Sequence, residues 1–559
     1  MSLKQKISKI MVANRGEIAI RVLRAANELG LRTVAVFAEE DKLALHRFKA
    51  DETYQIGAGL GAIRAYLSIE EMIRVAREAG VDAIHPGYGF LSENPDFADA
   101  CAAAGIIFIG PTPDIMRRLG NKVSARNVAV QAGTPVMPAT GPLSTDPGEI
   151  RRQADKVGYP VMLKASWGGG GRGMRVIEDE GALLEEVEAG RREAGAAFGN
   201  DEVYLEKLVR RALHVEVQLL GDHHGNVVHL FERDCTVQRR NQKVVERAPA
   251  PFLSDARRED LCQAALRLAR QSGYVNAGTA EFLMDADNGE FYFIEVNPRI
   301  QVEHTVTEEV TGIDIVKAQI RIAAGARIGD VAASGVPAQE DIHLRGHALQ
   351  CRVTTEDPEQ NFIPDYGRIT AYRGANGFGI RLDGGTAYSG AVITRYYDSL
   401  LEKVTAWAPT PGEAIARMDR ALREFRIRGV TTNLTFVEGL INHPKFKTAD
   451  YTTRFIDDTP ELFKLSHRRD RATRLLRFIA DVTINGNDEV AGRPKPTTSR
   501  IPKVPARLVE VLPKGTKQLL DDLGPEKFSA WMLAQDRLLV TDTTMRDAHQ
   551  SLLATRMRT

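Results

Sequence analysis

Short apolar runs alternate with helical periodicity over the first part of the chain. Ile7–Ala13, Thr33–Phe37, Ala83–His85 and Ile106–Ile109 read as strands, and Glu17–Glu28, Ile69–Ala79 and Asn94–Ala103 read as helices. This rhythm predicts a parallel sheet with helices on both faces and ligand loops at the strand C-termini. Those loops carry Asn14-Arg15-Gly16-Glu17 and His85-Pro86-Gly87-Tyr88-Gly89. A hydrogen-bonded structural role is expected for His85, and the Asn14–Glu17 turn serves equally as a plain helix start. From Pro135 to about Glu206 the pattern reads as a smaller inserted unit: strand Pro160–Ala165, a glycine loop, strand Met174–Ile177, an acidic helix and strand Glu202–Leu205. Strands His214–Leu220 and Val227–Phe231 follow. From His343 to Phe455 the reading is mainly β, with helices over Pro411–Phe425 and Thr432–Ile441. Beyond Pro460 come a basic helix and a Pro/Lys/Ser-rich stretch, Arg493–Pro505, that reads as linker.

At 559 residues the chain has room for several domains. Lys plus Arg and Asp plus Glu both number 74, so no global field favours nucleic acid. Cys101, Cys235, Cys262 and Cys351 are widely spaced, which argues against a zinc site or disulfide framework and suits a reducing compartment. No apolar run approaches membrane-spanning length, and the expectation is a cytoplasmic enzyme without nucleic-acid or membrane partners.

The segment from Glu281 to Asn297 carries the densest chemistry. Two strand-like runs flank Asp287-Asn288-Gly289, a hairpin signal. A three-residue loop with Gly289 left-handed places Glu281 opposite Glu295, with Asn297 on the same face; a two-residue loop sends the glutamates to opposite faces. Two adjacent carboxylates repel unless a proton or cation intervenes, and two carboxylates with an amide oxygen suit Mg²⁺ holding substrate phosphates. Cation, amide and carboxylate then alternate through Arg299, Gln301 and Glu303, read as an extended segment. The glycine loop contains Gly168, Gly169, Gly170 and Gly171, but a strand follows it rather than a helix. A flap over phosphates therefore fits better than a Rossmann turn. Lys122 and Lys164 are cations suited to phosphate, and Glu206 sits at a strand end where exposed backbone could meet an adenine edge. Gln238, Arg239, Arg240, Asn241 and Lys243 pack cations and amides into a loop suited to an anion. Cys235 beside that loop is a candidate for inhibitory alkylation.

Together, the glycine flap, the Glu281–Glu295–Asn297 cluster, Asn297-Pro-Arg-Ile-Gln-Val-Glu-His304 and Glu232–Glu246 resemble the biotin carboxylase branch of the ATP-grasp enzymes over about residues 5–455. The resemblance implies a parallel-sheet α/β N-terminal domain over 1–118 and an ATP-grasp domain over 119–330, with a mobile glycine-rich lid near 135–206. A mainly β subdomain over 340–458 would follow, giving an α/β and α+β multidomain fold. It implies a ligase that carboxylates biotin with bicarbonate through carboxyphosphate. Lys122, Lys164, Gly168–Gly171, Glu206, Leu208, His214, Gln238 and Asn241 would bind ATP, although several family members carry histidine where Asn241 stands. Glu281, Glu295 and Asn297 would hold Mg²⁺ or Mn²⁺, and Lys243, Arg299, Gln301 and Val302 would hold bicarbonate. Glu303 would be the general base, and Arg299 with Arg381 would stabilise the biotin enolate.

Thr541–Arg556 resembles the opening strand of the carboxyltransferase barrel of the pyruvate carboxylases, which implies a metal ligand at Asp547 and pyruvate contacts at Arg546 and Gln550. Such a barrel takes roughly 250 residues, so 536–559 is expected to be its truncated start and that site incomplete. Residues 459–535 would be linker and part of a region where the family binds the activator acetyl-CoA. No Met-Lys-Met attachment motif occurs, so biotin would arrive free or on a carrier domain. The family implies a homodimer through this portion and a homotetramer at full length. The alternative is the biotin carboxylase component of an acyl-CoA carboxylase.

Overall fold

The computed structural model describes residues 7–166, 174–198, 200–465, 471–487, 489, 491–494, 513–544, 546 and 547, and it divides into two units, Met1–His467 and Arg468–Thr559. In the first unit Lys9–Val12, Arg32–Phe37, Glu52–Gln55, Ala83–His85 and Ile107–Phe108 form a five-stranded parallel sheet. Its spatial order is Glu52, Arg32, Lys9, Ala83, Ile107, each strand named by its first residue. Four of these strands and the helices Gly16–Glu28, Ile69–Glu78 and Pro95–Ala103 match the periodicity. Glu52–Gln55 was not legible, because its half-buried polar residues carry no apolar run.

The inserted unit is a three-stranded antiparallel sheet, Arg175–Ile177, Val161–Ala165 and Val203–Lys207, backed by the helices Pro147–Val157 and Glu180–Phe198. The glycine loop lies outside the described residues.

The site rests on an eight-stranded antiparallel sheet. In spatial order its strands are Phe291–Asn297, Asn276–Asp285, Ala212–Gly221, Val227–Arg239, Gln242–Ala248, His347–Thr354, Leu400–Ala408 and Ile380–Gly384. The sheet runs across the domain boundary expected near 330–340, joining the last three strands to the first five. Alternation sorts its side chains. Val215, Val217, Leu219, Ala280 and Phe282 face a core built with Leu261, Ala265 and Leu268 of the helix Asp255–Ser272. Farther along, Val245, Leu349, Cys351, Val353, Val404 and Ala406 face a second core. The intervening positions, among them Glu216, Gln218, Arg233, Thr279 and Glu281, line the other face.

Two expectations change here. The cation-rich segment from Gln238 to Lys243 is not a loop. Val227–Arg239 and Gln242–Ala248 form a hairpin around Arg240 and Asn241, both left-handed at φ 49° and 63°, as a two-residue turn of matching twist requires. Nor is Arg299–Glu303 extended: it is irregular, and Glu303 becomes the N-cap residue of the helix His304–Thr311.

The second unit contains the helices Arg471–Asn485 and Thr516–Leu533, the latter broken at Gly524 before Pro525. Thr541–Thr543 is exposed and irregular rather than a strand, and a lone strand with no ladder partner has no reason to form. No helix of the described residues is long and apolar enough to cross a membrane.

Candidate active site

Glu281 and Glu295 face one another across the first ladder, with Asn297 opposite Thr279. The pairing is the expected one, but the route differs. Asp285 bonds to Glu290 around a four-residue loop with Gly289 at φ 73°, and a register shift beside Phe282 leaves Ile294 unpaired. This bulge puts Ile294 and Glu295 on the outward side together, between the inward Phe293 and Val296.

Glu281 points into a cluster built from five strands and the turn before the helix His304–Thr311. Lys243 is its centre. Its ammonium lies 2.5 Å from Glu216 Oε2, 3.0 Å from Glu281 Oε1 and 2.6 Å from Glu303 Oε1, one carboxylate for each N–H. Beneath it Arg233, fully buried, bonds Glu216 at 2.6 Å and Gln218, Thr307, Thr279 and Gln301 at 2.8–3.1 Å. Gln301 donates onward to Glu281 at 3.0 Å. Arg352 holds Glu246 at 2.5 Å and Glu303 Oε2 at 3.1 Å. His214 Nε2 stands 3.2 Å from Glu281 Oε2.

Burial works against the Lys243 ammonium, but Glu216, Glu303 and Glu281 overcome it and hold its pKa well above the lysine value. Burial likewise raises the carboxyls, and the cations win. Lys243 and Arg233 bring Glu216 down to about 2, Lys243 and His214 hold Glu281 well below the usual range, and Lys243 with Arg352 lowers Glu303 despite Glu216. All three are ionised at neutral pH. Glu216, Glu246, Glu281 and Glu303 share Lys243, Arg233 and Arg352. Glu281 and Glu295 face each other across the ladder, a setting in which a cation between the carboxylates relieves their repulsion. Glu281, Glu295 and Asn297 offer hard oxygen donors on one face and fit Mg²⁺ or Mn²⁺.

Of the residues singled out from sequence, Glu281, Glu303, Lys243, Gln301 and His214 meet in this cluster. Arg299 lies at its edge, paired with Glu93 and donating to Asn297 Oδ1 at 3.1 Å. Val302 turns its carbonyl to Lys403. Lys164 pairs with Glu206 in the three-stranded sheet, the Leu208 N–H donates to Pro160, and the Gln238 amide donates to the Cys235 carbonyl. Asn241 sits exposed at the hairpin tip. Lys122 opens the helix Lys122–Gln131, and its side chain, like Gly168–Gly171 and Gln550, lies outside the described residues. Arg546 and Asp547 are exposed in the second unit.

Arg381 does not join the cluster: it is tied to Glu308 at 2.7 Å and Asp383 at 2.8 Å. The permanent cation beside Glu303 is Arg352, which the sequence reading missed. The signal was available, since Cys351 and Val353 flank it as buried apolar neighbours, turning Arg352 to the polar face. Cys235 is buried and its thiol pushed well above the usual value by burial and by Glu216, so the alkylation expectation fails: a protonated thiol without access is inert.

Comparison with known families matches residues 6–116 to the biotin carboxylase N-terminal domain, 121–331 to the ATP-binding domain of the carbamoyl-phosphate synthase L chain, and 350–458 to the biotin carboxylase C-terminal domain. The pyruvate carboxylase of Bacillus subtilis is 53% identical over 99% of this chain and 48% of its own length. A Rhizobium etli pyruvate carboxylase structure, solved with the allosteric activator acetyl coenzyme A, superposes with a TM-score of 0.79. It is 70% identical over 99% of this chain and 49% of that one. The biotin carboxylase domain dimer of Hydrogenobacter thermophilus 2-oxoglutarate carboxylase, in complex with ADP, magnesium and bicarbonate, is 44% identical over 83% of this chain and 100% of that one. Its TM-score is 0.76. The chain spans about half the length of the curated relatives it matches.

Proposed function

The chain belongs to the biotin carboxylase family, and from that membership we propose that it uses ATP and bicarbonate to carboxylate biotin, the first half-reaction of pyruvate carboxylation. Similarity along 99% of the chain to pyruvate carboxylases favours this setting over an acyl-CoA carboxylase.

The observation that carries the reading is the Lys243 ammonium and the Arg352 guanidinium on either side of the ionised Glu303. Bicarbonate is a poor electrophile until phosphorylated, and its attack on the γ-phosphate of ATP requires loss of its proton. Glu303, ionised and aimed at Lys243, takes that proton as bicarbonate enters and competes for the Lys243 donor. Gln301, fixed by Arg233, and Arg299 supply further donors to the anion. Phosphoryl transfer depends on charge neutralisation and positioning more than on covalent help. Glu281, Glu295 and Asn297 would hold the divalent ion, which supplies neutralisation of phosphate charge. Lys164, Glu206, Leu208, His214 and Gln238 would line the nucleotide, with Lys122, Asn241 and Gly168–Gly171 completing it. Carboxyphosphate then yields CO₂ and a basic phosphate that deprotonates the acceptor nitrogen. Arg352, charged at any working pH, would stabilise the negative charge that gathers on the acceptor oxygen, a role its contact with Glu303 supports over Arg381.

The acceptor is biotin on a carrier domain. The functional assembly is a homodimer of this portion within a tetramer, activated by acetyl-CoA; Asp547, Arg546 and Gln550 belong to the pyruvate site of the whole enzyme. Four unpaired buried thiols suit a reducing cytoplasmic setting. The test is ADP release with ATP, Mg²⁺ and bicarbonate, with and without free biotin. Turnover that requires bicarbonate and rises with biotin is expected; turnover indifferent to both overturns the assignment.

A further inference from the structure

Lys403 is fully buried, and its ammonium lies 3.0 Å from the Glu17 carboxylate and 3.0 Å from the Val302 carbonyl. Across the sheet it stands directly opposite Arg352 on one neighbouring strand and Asp383 on the other. The row that presents Arg352 to Glu303 thus presents Lys403 to the residue just before it. Glu17 comes from the first turn of the helix Gly16–Glu28 and accepts from the Tyr88 hydroxyl in the Gly87–Gly89 loop. Its other oxygen has no hydrogen-bond partner among the described residues. Gly385 closes over this turn; a Cβ there would come within 2.6 Å of the Glu17 nitrogen.

A buried ion pair of this kind is a poor source of stability, because apolar replacements often do as well or better. The Val302 carbonyl gives it a purpose. Gln301 and Glu303 direct their side chains to the Lys243 cluster from an irregular turn that has no ladder to hold it. Between them, the Val302 carbonyl accepts from the Lys403 ammonium. We propose that Lys403, held by Glu17 and Tyr88, is a positioning residue that fixes this turn so that Gln301 and Glu303 meet bicarbonate in register.

The inference rests on the bicarbonate reading above. Lys403→Met is expected to raise the half-saturating bicarbonate concentration on the order of 10- to 100-fold, the effect of a misplacement near 1 Å, and to leave half-saturation by ATP unchanged. Because the single variant strands Glu17, the double variant Glu17→Gln/Lys403→Met removes both charges and keeps the question open if the single one fails to fold. A double variant that still needs excess bicarbonate supports the proposal. One that regains the parent value shows the pair to be purely structural and overturns it. A parent chain whose ATP turnover ignores bicarbonate overturns the functional assignment itself, which separates the two failures.

Discussion

Glu303 shows how a single side chain acquires a role from its neighbours. Burial alone would protonate it, yet Lys243 and Arg352 keep it ionised and so able to accept a proton. Replacing it with Gln preserves the shape but removes the base; turnover should fall about 10²–10⁴-fold while ATP affinity, read by nucleotide titration, holds. Glu402 shows the opposite balance. It is buried, accepts the Tyr372 hydroxyl at 2.5 Å, and is pushed up to about 7 by burial, with the Tyr372 hydrogen bond opposing and Asp383 adding to the rise. The folded state therefore binds this proton more tightly than the unfolded chain, whose carboxyl titrates near 4.5. Its stabilising contribution, at most about 3 kcal/mol, is complete below that lower value and is lost as pH rises through about 7. His46, His85 and His229, lowered by burial to about 4, and His347, lowered to about 3, contribute a slope of the opposite sign through the same window. The Glu402 contribution is therefore read as a difference: the denaturant midpoint of the parent chain minus that of Glu402→Gln should fall between about pH 4.5 and about pH 7.

Sheet elements decide which of these side chains can meet. His214, Glu216 and Gln218 alternate with Val215, Val217 and Leu219, so the residues that make the strand also aim the site. This much was legible, since alternation is a local property of the sequence. The hairpin was harder. A three-residue loop with a straight ladder and a four-residue loop with a bulge both bring Glu281 opposite Glu295. The clue lay in the inward residues Phe291, Phe293 and Val296, whose spacing breaks from two to three at Ile294. The Arg299–Glu303 turn and the Gln238–Lys243 strands could not be read from polarity, because Gln301, Glu303 and Lys243 are turned inward by partners on other elements, and that pairing exists only after folding. Glu295→Gln tests the ladder argument. Removing one of two opposed carboxylates should raise the Mg²⁺ needed for half-maximal ATP turnover by roughly tenfold or more, as losing support to a bound metal does. An unchanged requirement would remove Glu295 from the metal site.

At the scale of the whole molecule, the cluster residues from Glu17 to Lys403 lie in the first unit, and the family matches end at 458. The second unit has another character. Leu475, Leu476, Phe478, Ile479 and Ile484 on one helix are exposed, as are Leu533, Leu538 and Val540. The Hydrogenobacter thermophilus domain is matched along its entire length by 83% of this chain. A chain ending at Leu465 should therefore keep bicarbonate-dependent ADP release within about threefold of the full chain, about 0.65 kcal/mol in barrier height. It should also lose the tendency to self-associate that an apolar helix face brings. Steady-state kinetics beside light scattering reads both quantities on the same samples. A large loss of turnover in a monodisperse, folded truncation would mean that the second unit supports the site through the Met1–His467 fold, and the division of labour argued from burial would have to be redrawn.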